Sequence, residues 1–293
     1  MTAAKHHIVL TSPDHYEVSY TINPWMRPEE WARDPAAAHR AAVACWQALT
    51  ERLRQAGMAI EVVPAEPGLP DMVFPANSAI VLDGRALLAR FRYPERQGEE
   101  ARFRRFFDGL VRRGLLSAVE LLPTGVVQEG AGDCLWDATR QLFWAGFGPR
   151  SEVASLSHIR SCFGQEVVGL NLITPHFYHL DTCLSVLSGG EIVYFPAAFS
   201  ADALAALADI VPPDLHIVAT AGEASAFSLN AVNIGRDLIM PPPSPRLRTI
   251  LHERGYRCLD VDLSSFTLSG GAAYCMTLRL DLVSRACSRK AAE

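Results

Sequence analysis

Ser78-Ala79-Ile80-Val81-Leu82-Asp83-Gly84-Arg85-Ala86-Leu87-Leu88-Ala89 reads as two short apolar strands folded back on each other at an Asp-Gly turn. Asp-Gly reaches the left-handed backbone that a two-residue hairpin needs. A helical pattern over 99–113 follows, after Pro94-Glu95-Arg96-Gln97-Gly98. The same order recurs along the chain. A strand at 142–145 leads to a helix at 151–163 and a strand at 166–169. Gly189-Gly190 turns into strand Ile192–Tyr194, then helix Ala201–Ile210 and a strand at 216–219. Strands at 231–234 and Asp237–Met240 precede a helix at 244–254 and a strand at 256–261. Near the N-terminus a strand at 8–10 precedes helix Pro35–Gln55, with Asp34 as its cap and Pro35 behind it. A last strand is expected at 275–282. Short strands alternating with helices, and no linker-like stretch, predict an α/β or α+β chain folded as a single domain over 1–293, with its core at about 8–282. The strand–turn–strand–helix–strand rhythm has the period of a propeller-like architecture.

Composition narrows the function. Hydrophobic residues make up 49% of 293 residues, enough for a large core, yet no apolar run reaches membrane-spanning length. The net charge is −5 and the basic residues are dispersed, which excludes a nucleic-acid footprint. Arg102, Arg104 and Arg105 read as the solvated face of a helix. The start of the chain leads into Ile8-Val9-Leu10, too short for the apolar core of a secretory leader, so a cytoplasmic protein is expected. Seven cysteines, an odd number without C-x-x-C spacing, predict reduced thiols, no disulfide scaffold and no metal.

Three segments carry chemistry. Gly270-Gly271-Ala272-Ala273-Tyr274-Cys275 delivers a thiol behind four small residues, where a backbone or ligand can approach closely. Phe177-Tyr178-His179-Leu180-Asp181-Thr182 offers a base and a carboxylate. Glu129-Gly130-Ala131-Gly132-Asp133 offers an acid that can orient the base. Alone, Cys275 reads as a buried small hydrophobe, His179 as a satisfied core histidine and Glu129 as a turn residue. Their co-occurrence favours a nucleophilic site. On a strand, His179 and Asp181 point to one face. Cys183 then shares that face and is a rival thiol, while Cys134, Cys162 and Cys258 read as core fillers. Asp133 reads as structural, satisfying loop amides.

These segments, with Phe74-Pro75-Ala76-Asn77, resemble the guanidine-modifying superfamily, also called the amidinotransferase or pentein superfamily. Ile22-Asn23-Pro24-Trp25-Met26, Pro70-Asp71-Met72-Val73-Phe74, Pro94–Glu100 and Asn230-Ala231-Val232-Asn233 are similar to its bacterial arginine dihydrolase branch. The resemblance implies an α/β propeller of five pseudo-symmetric ββαβ modules around a central active site. It implies a cofactor-free, metal-free hydrolase of a small guanidino substrate, with no nucleic-acid or membrane partner, and leaves homo-oligomerisation open. Cys275 would attack the guanidinium carbon, His179 would move protons and Glu129 would orient His179. Asp181, Asn77, Arg90, Arg150 and Asp71 would bind substrate, the two arginines holding an α-carboxylate. Asn77 stands where deiminases carry aspartate and dihydrolases carry asparagine. Pro75, Ser78 and Tyr274 depart from the dihydrolase pattern, which keeps dimethylargininase and amidinotransferase as alternatives, Ser78 and Tyr274 being residues that would shape a methyl pocket. A binding protein on the same scaffold would lack the Cys, His and Glu set.

Overall fold

The computed structural model describes residues 6–290; residues 1–5, on which the expectation of no leader rests, lie outside them. Strand β1 (His7–Thr11) leads through helix α1 (Pro35–Gln55) to β2 (Ala59–Val63), which pairs parallel with it. Four segments then repeat one order: an antiparallel pair, a helix, and a third strand parallel to the second. The first has β3 (Ala79–Leu82), β4 (Arg85–Leu88), α2 (Pro94–Arg112) and β5 (Ala118–Leu121). The second has β6 (Cys134–Asp137), β7 (Leu142–Phe147), α3 (Ser155–Phe163) and β8 (Glu166–Asn171). The third has β9 (Leu184–Val186), β10 (Ile192–Tyr194), α4 (Ala201–Ile210) and β11 (His216–Val218). The fourth has β12 (Val232–Ile234), β13 (Asp237–Met240), α5 (Pro245–Glu253) and β14 (Arg257–Asp260). Finally β15 (Leu278–Arg279) pairs antiparallel with β1. Five three-stranded ββαβ modules result, the last assembled from both ends of the described chain.

Local chemistry explains the elements. Asp83 and Gly84 both adopt positive φ, closing the β3–β4 hairpin as its composition predicts. Asp34, Ser200 and Ser244 each accept a backbone N–H in the first turn of α1, α4 and α5. Helix α2 buries Phe103, Phe107 and Leu110, spaced along one stripe, while Arg104 and Arg105 stay exposed, Arg102 is half-buried, and all three pair with Glu66 or Asp108. Each buried Phe or Leu contributes ~1.5–3 kcal/mol. Helix α2 starts at Pro94, earlier than the pattern suggests, because proline suits the first helical position. Strands β2, β5, β6 and β9 were not expected; they are three to five residues long. The expected strand at 275–282 shrinks to Leu278–Arg279, and Cys275 lies in the turn before it.

That turn is one of five. Asn77, Glu129, His179, Asn230 and Cys275 each lie just upstream of the first strand of a module, β3, β6, β9, β12 and β15 respectively. Repetition of the module brings the five turns to one place, those carrying Asn77, Glu129 and His179 packing together. Among the described residues no helix is long and apolar enough to cross a membrane.

Candidate active site

Cys275 is buried, with 2% of its surface exposed. A Cβ on Gly271 would stand 2.4 Å from the Phe74 ring, so the small residues ahead of Cys275 are a packing requirement. Asn230 fixes the turn: its Oδ1 accepts from the Cys275 and Ala272 amides at 3.1 and 3.2 Å. Its Nδ2 donates to Cys275 Sγ and to the Asp181 carbonyl, both at 3.1 Å. The thiol donates to Asp181 Oδ2 at 3.1 Å. Burial pushes the thiol well above its usual range, and the Asp181 carboxylate adds to the effect. Burial likewise raises Asp181 to about 7, against hydrogen bonds from Cys275 and Asn230. Its Oδ1 has no hydrogen-bond partner. Burial thus disfavours the charged form of both members of the pair.

The opposite wall is charged and fully paired. Glu129 Oε2 accepts from His179 Nε2 at 2.7 Å and from Arg150 Nη1 at 2.9 Å; Oε1 accepts from the Arg92 amide at 3.0 Å. Burial alone would raise Glu129, but the Arg150 charge and then His179 outweigh it and hold the carboxyl well below the usual range. This bond assigns the imidazole proton to Nε2 and leaves Nδ1 as the acceptor. Asn77 Nδ2 lies 3.4 Å from Nδ1. A Cβ on Gly132 would come within 2.2 Å of that amide nitrogen, so glycine is what lets Asn77 approach. Arg150 stacks between Tyr93 and Tyr178, 4.7 and 4.5 Å from their ring centres, and donates to Ile22 O at 3.0 Å. Asp133 accepts from Ser151 and from the Leu180 amide, the structural part its position suggests.

The two residues two apart in sequence do not share a strand face. His179 precedes a 3-10 turn, Leu180–Thr182, that contains Asp181. Its curvature sends His179 to Glu129 and Asp181 to Cys275. Cys183 is corrected by the same turn: its thiol faces the His179 and Leu180 carbonyls within the apolar core. Asp71 is buried, with Oδ2 accepting from Tyr20 at 2.9 Å and Oδ1 without a partner. Arg90 is not brought into the cluster: its guanidinium reaches only the Leu122 carbonyl, at 3.5 Å. Ser78 donates its hydroxyl to Pro75 O at 2.6 Å, and Tyr274 lines a cavity together with Asp181.

Two residues escaped the sequence reading. Asn230 lay in a quoted segment without a role, because its bonds to Cys275 span 45 residues. Arg96 donates from Nη1 to Asn77 Oδ1 at 2.8 Å while gripping Glu99 bidentately at 2.8 and 2.9 Å. The Arg-x-x-Glu spacing would have signalled that pair had α2 been started at Pro94. Arg96 thus fixes which end of the Asn77 amide faces His179. Over the site runs a strap of residues 16–27, tied by Tyr20 to Asp71, Ile22 to Arg150, Asn23 to Ser269 and Arg27 to Leu268. Among the described residues no set of three His, Cys, Asp or Glu side chains could hold a metal.

Comparison with known proteins places the chain in a family. A family profile described as N,N dimethylarginine dimethylhydrolase, eukaryotic, matches residues 21–282. The bifunctional arginine dihydrolase/ornithine cyclodeaminase ArgZ of Synechocystis is 40% identical over 273 residues, 93% of this chain and 37% of that protein. The N(G),N(G)-dimethylarginine dimethylaminohydrolase of Mycobacterium tuberculosis is 34% identical over 271 residues, 92% of this chain and 84% of that protein. The substrate-bound N-terminal domain of ArgZ, a mutant, superposes with a TM-score of 0.86 at 37% identity, covering 95% of this chain and 99% of that one. This chain spans 37% of the length of its bifunctional relatives. It belongs to the dimethylarginine dimethylaminohydrolase family of the guanidine-modifying superfamily, in the branch that includes the arginine dihydrolases.

Proposed function

From that membership we propose that the chain is a hydrolase of the arginine guanidino group, acting twice to give ornithine, two ammonia and carbon dioxide. It works without a metal or cofactor, as one catalytic unit over about 8–282, in the cytoplasm. We also propose that the five modules close into an α/β propeller around the site. The β1–β15 pairing and the contacts of β15 with β3 and of β6 with β9 support that closure.

In this reading the resting thiol waits for its substrate. A guanidinium arriving at Asp181 draws that carboxyl into its ionised form and supplies the positive charge the thiolate needs. Asp181 takes the N–H groups of the planar cation. Cys275 Sγ then attacks the central carbon. His179 Nδ1, with its other nitrogen held by Glu129, takes up the thiol proton and returns it to the departing nitrogen. The C–S bond forms, a C–N bond breaks and ammonia leaves. Water next attacks the same carbon through His179, and the C–S bond breaks to leave citrulline. The second round expels ammonia again and leaves a carbamate on the ornithine nitrogen, whose remaining C–N bond breaks to release carbon dioxide. Arg150 receives the α-carboxylate in place of the Ile22 carbonyl, and the unpaired Oδ1 of Asp71 receives the α-ammonium.

The observation that carries the second hydrolysis is Asn77. Its oxygen is engaged by Arg96, so it presents a neutral N–H donor beside His179. A carboxylate there would face a neutral ureido product as a poorly paired buried charge, costing several kcal/mol. The amide instead donates to the ureido oxygen and leaves the carbon near Cys275. Mass balance on labelled arginine tests this: ornithine, two ammonia and carbon dioxide are expected. Citrulline as sole product from N-methylated arginine, with arginine untouched, would favour dimethylarginine hydrolysis, the reading that the matching family profile supports.

A further inference from the structure

On the side of Asp181 away from the strap lies a cavity of about 170 Å³. The first strand of every module lines it, and no strap residue does. Its inner end is Asp181 and Tyr274; Thr139 and Ser188, both exposed, stand at its outer end. Two of its lining residues hold buried polar atoms without a protein partner, Asp181 Oδ1 and Trp136 Nε1. Such atoms cost ~1–3 kcal/mol each unless water satisfies them. The cavity has room for several waters at ~30 Å³ each. On the other side, the strap is tied across the nucleophile's own turn, Asn23 to Ser269 and Arg27 to Leu268. Each hydrolytic round must take in one water and put out one ammonia while the substrate sits beneath that strap.

We propose that the cavity is a rear passage for the hydrolytic water, joining solvent at Thr139 and Ser188 to the Cys275 centre past Asp181 and Tyr274. The passage rests on the hydrolase reading. Attack by Cys275 needs no water, so narrowing the passage spares formation of the covalent thiouronium. It slows only the step in which water forms the C–O bond and the C–S bond breaks. Thr139→Trp at the exposed mouth and Ser185→Leu on the lining would narrow it; Thr139→Ser is the control. In rapid-quench experiments followed by intact-protein mass spectrometry, the adduct is expected to form at the unaltered rate. Its decay should slow about tenfold, or ~1.4 kcal/mol at the barrier, in Thr139→Trp. Unchanged decay in both folded variants, or formation and decay slowed together, would overturn the passage. No adduct on Cys275 in the unaltered enzyme would instead overturn the hydrolase reading.

Discussion

The two walls of the site differ in how they treat charge. On one, Glu129, His179 and Arg150 form a buried network whose ions are all paired before anything binds. On the other, Asp181 and Cys275 face each other with no cation between them, and burial raises both. One wall is paired by the fold itself, and in the proposed reading it aims a proton. The other lacks a cation, and in that reading a guanidinium completes it.

The largest effect should come from removing the thiol. Cys275→Ala is expected to lower turnover by about 10⁴-fold or more with the fold retained. A haloacetamidine should label Cys275 alone among the seven cysteines, as read by peptide mapping. Normal turnover in the variant would end the proposal. Stability should then separate the walls. Glu129→Gln leaves Arg150 buried without its counter-ion and should cost ~3–5 kcal/mol in urea unfolding. Glu129 is depressed in the folded state, so its contribution is present above the unfolded pKa and fades as pH falls. Asp181 is raised to about 7, so its ionisation works against the fold as pH climbs toward that value. Asp181→Asn should therefore be nearly neutral below about pH 4 and stabilising at pH 8, a pattern opposite in sign to that of Glu129→Gln.

Arginine binding should release protons below about pH 7, because the cation needs Asp181 ionised. Calorimetry in buffers of different ionisation enthalpy measures that release. Asp181→Asn should abolish it and weaken binding; undiminished release would place the titrating group elsewhere. The smallest change in overall rate is expected from Asn77→Asp. Arginine consumption should survive while products move from ornithine toward citrulline, read by the same mass balance. An unshifted product ratio would remove Asn77 from the second hydrolysis.

Helices α1 and α4 and strands β10 and β13 were legible to the residue, because caps, prolines and turn glycines bound them. The missed strands β2 and β5 are short and mostly half-buried, without the alternation that marks a strand. Candidate residues Cys275, His179 and Glu129 were legible as motif members. Where Asp181 points was not, because a 3-10 turn replaces the expected strand and period-two alternation fails within it. Asn230 and Arg96 act on partners supplied by other modules or turns, a relation that no local pattern encodes.

The seam between β1 and β15 has a consequence for how the protein comes to be reactive. Its nucleophile lies just ahead of β15, which has no antiparallel partner until it meets β1. A nascent chain that has built four modules still lacks the thiol, and one that has synthesised it must first close the seam. In the proposed reading, the reactive thiol is therefore set in place by a pairing between segments some 270 residues apart, and not within any one of the four contiguous modules.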